Sequence, residues 1–183
     1  MTFTTEHTQH AGRELSYYLR HHPEEAGLDM DRFGWVASEQ VVLGMRKNNP
    51  DFTFEDLEYL VVNDNKGRFE FCDNGNFIRA CQGHSIDIDL GLAPTFPPAV
   101  LYHGTAERFV GSIFEQGILP MSRNHVHLSL DETVAKDVGT RHGSPAVFLV
   151  NALKMHEDGY KFYLADNGVW LTDYVPVEYL QLM

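Results

Sequence analysis

Five short clusters of arginine, histidine, glycine and small hydroxyl residues punctuate the chain. They are Arg20-His21, Lys66-Gly67-Arg68, His103-Gly104-Thr105, His127-Leu128-Ser129 and Arg141-His142-Gly143-Ser144. A guanidinium holds a permanent charge on a planar fork of donors that fits phosphate oxygens. An imidazole moves protons near neutral pH and pairs with ribose hydroxyls. Glycine lets a main chain come close to a ligand. Any one cluster could be a solvated helix end, because arginine complements the dipole at a helix C-terminus and Ser129 reads as an N-cap. Five together point to recognition of phosphate and ribose.

Other chemistries are excluded more directly. The chain has no G-x-G-x-x-G, no G-x-x-x-x-G-K-[ST], no H-E-x-x-H, no C-x-x-C and no G-x-S-x-G, so dinucleotide-binding turns, P-loops, zincin helices and nucleophile elbows are absent. Ten histidines are present, but not at zinc-ligand spacing beside cysteines or carboxylates, and no catalytic metal is expected. Cys72 and Cys81 are the only cysteines. They read as reduced thiols of a cytoplasmic protein. The first residues lack a basic and an apolar segment of the exported type. No run approaches the roughly 18 apolar residues of a membrane span.

The 183 residues carry 14 lysines and arginines against 26 aspartates and glutamates, for a formal charge of -12. Such a field repels a polyanion at long range, so a broad duplex-binding groove is excluded. Any phosphate must be gripped locally, by a few cations against an adverse background.

The elements that position the clusters can be read from periodicity. Leu15, Tyr18 and Leu19 mark a helix that must stop at His21-His22, since Pro23 disfavours helical geometry before it. Ser38 reads as the cap of a second helix over 39–45. Thr53 and Asp56 form a capping-box start for a third, carrying Leu57, Leu60 and Val61. Two strands, 68–72 and 77–81, flank the turn Asp73-Asn74-Gly75-Asn76. Three helices and a hairpin are the layout of a winged helix. Pro94, Pro97 and Pro98 then forbid regular structure and mark a boundary, dividing the chain into 1–93 and 94–183. Both parts are acidic, at -8 and -4.

Beyond the prolines, strands are expected at 100–103, 126–128, 146–150, 160–164 and 168–172, with a closing edge strand within 174–183. Helices are expected at 107–116, with Phe109, Ile113 and Phe114 on one face, and at 131–138. The strands are short and the helices too few for a doubly wound sheet. The fold class is therefore α+β.

The clusters also occur in an ordered series with Ile78-Arg79-Ala80-Cys81-Gln82-Gly83-His84-Ser85 and Asn167-Gly168-Val169-Trp170-Leu171. From about Leu15 to Leu180, this series resembles the NAD-dependent RNA 2'-phosphotransferase family (tRNA 2'-phosphotransferase, KptA-like). The resemblance implies a winged-helix-like RNA-binding lobe and an ADP-ribosyltransferase-like NAD-binding lobe, with the active site in the cleft between them. It implies Arg20, His21, Arg68 and Arg141 as the catalytic tetrad. His103, Gly104, Thr105, His127, Ser129, Ser144 and Val169 would bind NAD, consumed as co-substrate. The implied reaction has two steps. The RNA 2'-phosphate first displaces nicotinamide to give an RNA 2'-phospho-ADP-ribose adduct. Attack by its 2''-hydroxyl then releases RNA with a free 2'-hydroxyl and ADP-ribose 1'',2''-cyclic phosphate.

The residue types agree with those roles. Three arginines from three segments can spread charge on a phosphate that first attacks and is then attacked. An imidazole suits the ribose proton of the second step. The expected partner is a 2'-phosphorylated, tRNA-like RNA met in tRNA processing or RNA repair, and the expected state is a monomer with no membrane association. Two other readings stay open: an ADP-ribosyltransferase that stops at the adduct on a nucleic-acid end or protein, and a non-enzymatic winged-helix nucleic-acid-binding protein.

Overall fold

A computed structural model describes residues 5–141 and 143–183, without the side chains of residues 5–7. His142, one of the clustered residues, lies outside the described residues. The chain divides between Gly91 and Leu92 into two compact units, both of mixed helix and small-sheet α+β construction.

The first unit is built on α1 (Thr5–Arg20). Ala11, Leu15, Tyr18 and Leu19 recur at helical spacing and are buried, each large side chain contributing roughly 1.5–3 kcal/mol. The helix ends three residues before Pro23, and that proline opens the single turn α2 (Pro23–Ala26), closed by Gly27 at φ 71°. Proline is favoured there because the first helical amide needs no acceptor. Next come β1 (Val36–Ala37), α3 (Ser38–Met45), α4 (Phe54–Val62), β2 (Phe69–Phe71) and β3 (Phe77–Ala80). The strands form an antiparallel sheet in the order β1-β3-β2.

The Thr53–Asp56 capping box forms as expected, with both reciprocal hydrogen bonds present. Ser38 does not cap α3. It is the first helical residue, Ala37 stands at the N-cap, and the Ser38 hydroxyl donates to the Gly75 carbonyl at 2.8 Å. That bond fastens the helix to the hairpin turn, a partner 37 residues away that no local pattern announces.

The second unit contains β4 (Leu101–Ala106), α5 (Val110–Gln116), β5 (Val126–Leu128), α6 (Glu132–Thr140), β6 (Pro145–Val150), α7 (Ala152–Glu157), β7 (Tyr163–Leu164), β8 (Trp170–Thr172) and β9 (Leu180–Leu182). They make two three-stranded sheets, ordered β4-β6-β9 and β5-β8-β7. Tyr102 and Ser129 exchange main-chain hydrogen bonds at 2.8 Å in both directions, bridging β4 to the end of β5. Leu101, Leu128, Phe148, Val150 and Phe162 are fully or almost fully buried in its core.

Three expectations fail here for local reasons. Ser129 is not a helix cap. Its main chain is taken by the bridge to Tyr102, and Asp131 caps α6 by accepting from the Thr133 and Val134 amides. The 107–116 helix begins as a 3-10 turn over Glu107–Phe109, which breaks the expected stripe. Ile113 is buried, whereas Phe109 and Phe114 are 43% and 46% exposed. Only Tyr163–Leu164 of the expected 160–164 strand pairs with β8.

Helix α6 lies directly on β4. A Cβ at Gly104 would overlap the Ala135 carbonyl, and a Cβ at Gly139 would come within 2.5 Å of the Thr105 carbonyl oxygen. Main chain meets main chain at both glycines.

Candidate active site

In the first unit, α1 gathers three of the sequence-predicted residues. Gly12, Ser16 and Arg20 follow one another at four-residue spacing and so share one face. Arg68 lies against that face. Its guanidinium donates to Ser16 Oγ at 3.2 Å, and a Cβ on Gly12 would come within 3.0 Å of Arg68 Nη2. The same guanidinium donates from Nε and Nη2 to the Asp64 carboxylate at 3.0–3.1 Å. The Arg68 amide donates to Asp64 as well, at 2.6 Å. The Asp64 side chain is only 6% exposed. Burial alone would raise its pKa, but the hydrogen bonds and charge of Arg68 outweigh burial and hold the carboxyl below its ordinary range.

Arg20 closes α1, and His21 follows it in the turn. His21 Nδ1 lies 2.8 Å from Ser85 Oγ, while the Ser85 amide donates to the Arg20 carbonyl at 3.0 Å. Gly83, at φ 92°, sets its bare Cα beside the Arg20 guanidinium, where a Cβ would stand 3.4 Å from Cζ. Between them His84 is 2% exposed. Its pKa is pushed down to about 3, by burial first and then by Arg20, His21 and Arg79, all of which disfavour another positive charge. The next histidine, His22, turns away. It stacks on Tyr17 at 4.6 Å and pairs with Glu24 at 3.1 Å.

In the second unit the polar residues cluster where the two sheets part. His103 Nδ1 is 3.0 Å from the His127 carbonyl oxygen. A carbonyl only accepts, so Nδ1 carries the proton and Nε2 is an acceptor. Burial, with Arg123 adding to it, lowers the His103 pKa, against a smaller opposing effect of that hydrogen bond; the ring is neutral at pH 7. Arg123 Nη1 lies 3.2 Å from His127 Nδ1. A guanidinium only donates, so His127 accepts at Nδ1 and carries its proton on Nε2.

Ser129 and Val169 stand one step past the last β5–β8 pair, Leu128–Trp170. His127 and Ser129, two residues apart on an extended segment, present the same face. Gly104 lies two residues after the bridged Tyr102, so its N–H and C=O point to the same side of β4. Beyond that bridge no described backbone pairs with β4 there. Because α6 occupies the Cα face of Gly104, a ligand is left with this one donor and one acceptor.

Thr105 is buried at 8% exposure. Arg141 and Ser144 are exposed on the turn that leads from α6 into β6, and the Ser144 carbonyl accepts from the Glu107 amide at 2.9 Å. Val169 is partly buried in the turn before β8.

Residues 6–174 match the model of the family described as RNA 2'-phosphotransferase, Tpt1 / KptA family. The chain belongs to this RNA 2'-phosphotransferase family. A probable RNA 2'-phosphotransferase of Nostoc punctiforme is 50% identical over 167 residues, 91% of this chain and 92% of the relative. Similarly named proteins of Agrobacterium fabrum and Pectobacterium carotovorum are 47% and 46% identical, covering 91% and 94% of this chain and 89% and 95% of theirs.

Four residues were given no role by the sequence reading although the geometry ties them to predicted site residues: Ser16, Asp64, Ser85 and Arg123. Asp64 had a signal, an acid four places before Arg68 at the exit of a helix. Arg123 likewise precedes His127 by four. Ser85 closes one of the ordered motifs but nothing local pairs it with His21, and Ser16 had no signal, these serines being 64 and 52 residues from their partners.

Proposed function

We propose that the protein removes an internal RNA 2'-phosphate by transferring it to NAD, releasing nicotinamide, RNA with a free 2'-hydroxyl and ADP-ribose 1'',2''-cyclic phosphate. The observation that carries this reading is the end of α1, where Arg20 and Arg68 share one helix face beside a histidine oriented through Nδ1. Two guanidiniums suit a phosphodianion, and an imidazole suits a ribose proton. In this reading Arg20, Arg68 and Arg141 serve the phosphate, and His21 the hydroxyl of the second step. The first unit is assigned as the winged-helix-like RNA-binding lobe, the second as the ADP-ribosyltransferase-like NAD-binding lobe.

The residues at the parting of the second unit's sheets fit NAD. A carboxamide needs one donor and one acceptor, which the Gly104 main chain offers. A ribose hydroxyl is a donor, for which His103 Nε2 is an acceptor held neutral. His127, Ser129, Thr105, Ser144 and Val169 complete the assigned set. NAD supplies an anomeric carbon with a cationic leaving group, so its expulsion requires no strong acid. Among the described residues no helix is long and apolar enough to cross a membrane, and the reading places the enzyme in the cytoplasm as a monomer acting on tRNA-like or damaged RNA.

The test is incubation with NAD and an internally 2'-phosphorylated oligonucleotide. Loss of phosphate with stoichiometric nicotinamide and cyclic phosphate is expected. A stable ADP-ribosylated RNA or protein would instead indicate a transferase that stops at the first step. Binding without turnover would indicate a non-enzymatic nucleic-acid-binding protein.

A further inference from the structure

We propose that Ser85 is a positioning residue that selects the working nitrogen of His21. The inference rests on the two-step reading above. Ser85 is itself firmly held. Its amide fills the Arg20 carbonyl at the end of α1 at 3.0 Å, a position where helix carbonyls lack intrahelical partners. The preceding His84 is buried at 2% exposure, and Gly83 is fitted against the Arg20 guanidinium. The Ser85 hydroxyl therefore meets His21 Nδ1, at 2.8 Å, from a fixed main chain.

A hydroxyl can donate or accept, so the bond admits two tautomers of His21. Only one is useful in the second step. With Nδ1–H donating to Ser85 Oγ, the lone pair sits on Nε2, on the side of the ring away from Ser85. In that step the 2''-oxygen–phosphorus bond forms and the bond from phosphorus to the RNA 2'-oxygen breaks. The 2''-hydroxyl proton passes to Nε2, and the departing RNA oxygen takes a proton from solvent water, which the imidazolium makes good by later releasing its own proton to solvent. The imidazolium formed keeps Nδ1–H on Ser85, and that bond strengthens as the ring becomes charged. The first step begins from a phosphodianion and needs no base, so Ser85 has no comparable part in it.

The experiment compares Ser85→Ala, Ser85→Thr and wild type in single turnover with NAD and a 2'-phosphorylated oligonucleotide, following adduct and product on a gel. In Ser85→Ala the second step slows about 10- to 100-fold and the first by far less, so RNA 2'-phospho-ADP-ribose builds up and then decays. Ser85→Thr, which keeps the hydroxyl, restores the wild-type ratio of adduct to product. A second readout needs neither substrate: long-range ¹H–¹⁵N NMR of the free protein reports the His21 tautomer, expected as Nδ1–H in wild type and lost in Ser85→Ala. A wild-type ratio together with an unchanged tautomer in Ser85→Ala would overturn the proposal. Equal slowing of both steps would also overturn it, because a distorted fold acts that way. If Ser85→Ala does not fold, Ser85→Cys, similar in size and a weaker acceptor, must show the same bias toward adduct. Wild-type protein that never removes the phosphate would remove the reaction reading instead, and the tautomer measurement would still decide whether Ser85 sets His21.

Discussion

The two units hold their polar residues by opposite means. In the first, charge is held by charge: Arg68 is forked onto a nearly buried Asp64. In the second, neutral rings are held by groups with no choice of role: His103 by a carbonyl that only accepts, His127 by a guanidinium that only donates. A cation facing a phosphate must keep its charge and direction, and a carboxylate supplies both. A histidine facing a ribose must keep a particular tautomer, and a one-way partner supplies that. The difference between the units is one of electrostatics against hydrogen-bond polarity.

Removing the charge should give the largest effect. Arg68→Ala is expected to lower single-turnover rates about 100- to 1,000-fold, from losing a donor to developing charge. It should also cost about 3–5 kcal/mol of stability by stranding Asp64. Arg68→Ala/Asp64→Asn should regain much of the stability in a denaturant melt and none of the rate. Equal recovery of both would mean that Arg68 serves only the fold.

The second unit breaks differently. Gly104→Ala puts a methyl into the α6 main chain and is expected to cost about 3 kcal/mol, read as a loss of thermal stability with the first unit's hydrogen exchange unchanged. A milder change, His103→Ala, should raise the KM for NAD about 10- to 100-fold with kcat far less affected. Because the His103 pKa is lowered, the ring gains its proton only at more acid pH than an ordinary histidine. Any loss of NAD binding on acidification of the wild-type enzyme should therefore set in at lower pH than an ordinary histidine would give, which calorimetric titration can check.

His84 gives the smallest effect and sharpens the contrast, being a neutral ring inside the charged unit. Its pKa of about 3 lies below the unfolded value of 6.5, so the unfolded chain binds more protons between those limits. Stability is full above pH 6.5 and falls as pH drops toward 3. The loss is about 1.4 kcal/mol at pH 5.5 relative to pH 8. His84→Gln should flatten that slope in melts across the range.

What the sequence made legible was local. Pro23 ended a helix, Thr53 and Asp56 capped one, and Asp73-Asn74-Gly75-Asn76 turned a hairpin, because each acts through its own neighbours. The short α2, β1 and α7 were missed, since two to six residues carry no periodicity. The clusters named the arginines and histidines but not what orients them. Ser85 and Ser16 reach their partners through tertiary folding alone, and Ser129 lost its expected cap to the strand bridge at Tyr102.

The contact of α6 with β4 through Gly104 and Gly139 has a mechanical consequence. Layers separated by side chains can slip, because rotamers absorb small displacements. Two main chains in direct contact have no such slack. Arg141 follows the Gly139 contact by two residues and closes α6, so its main-chain anchorage is expected to move as one with the strand that bears His103.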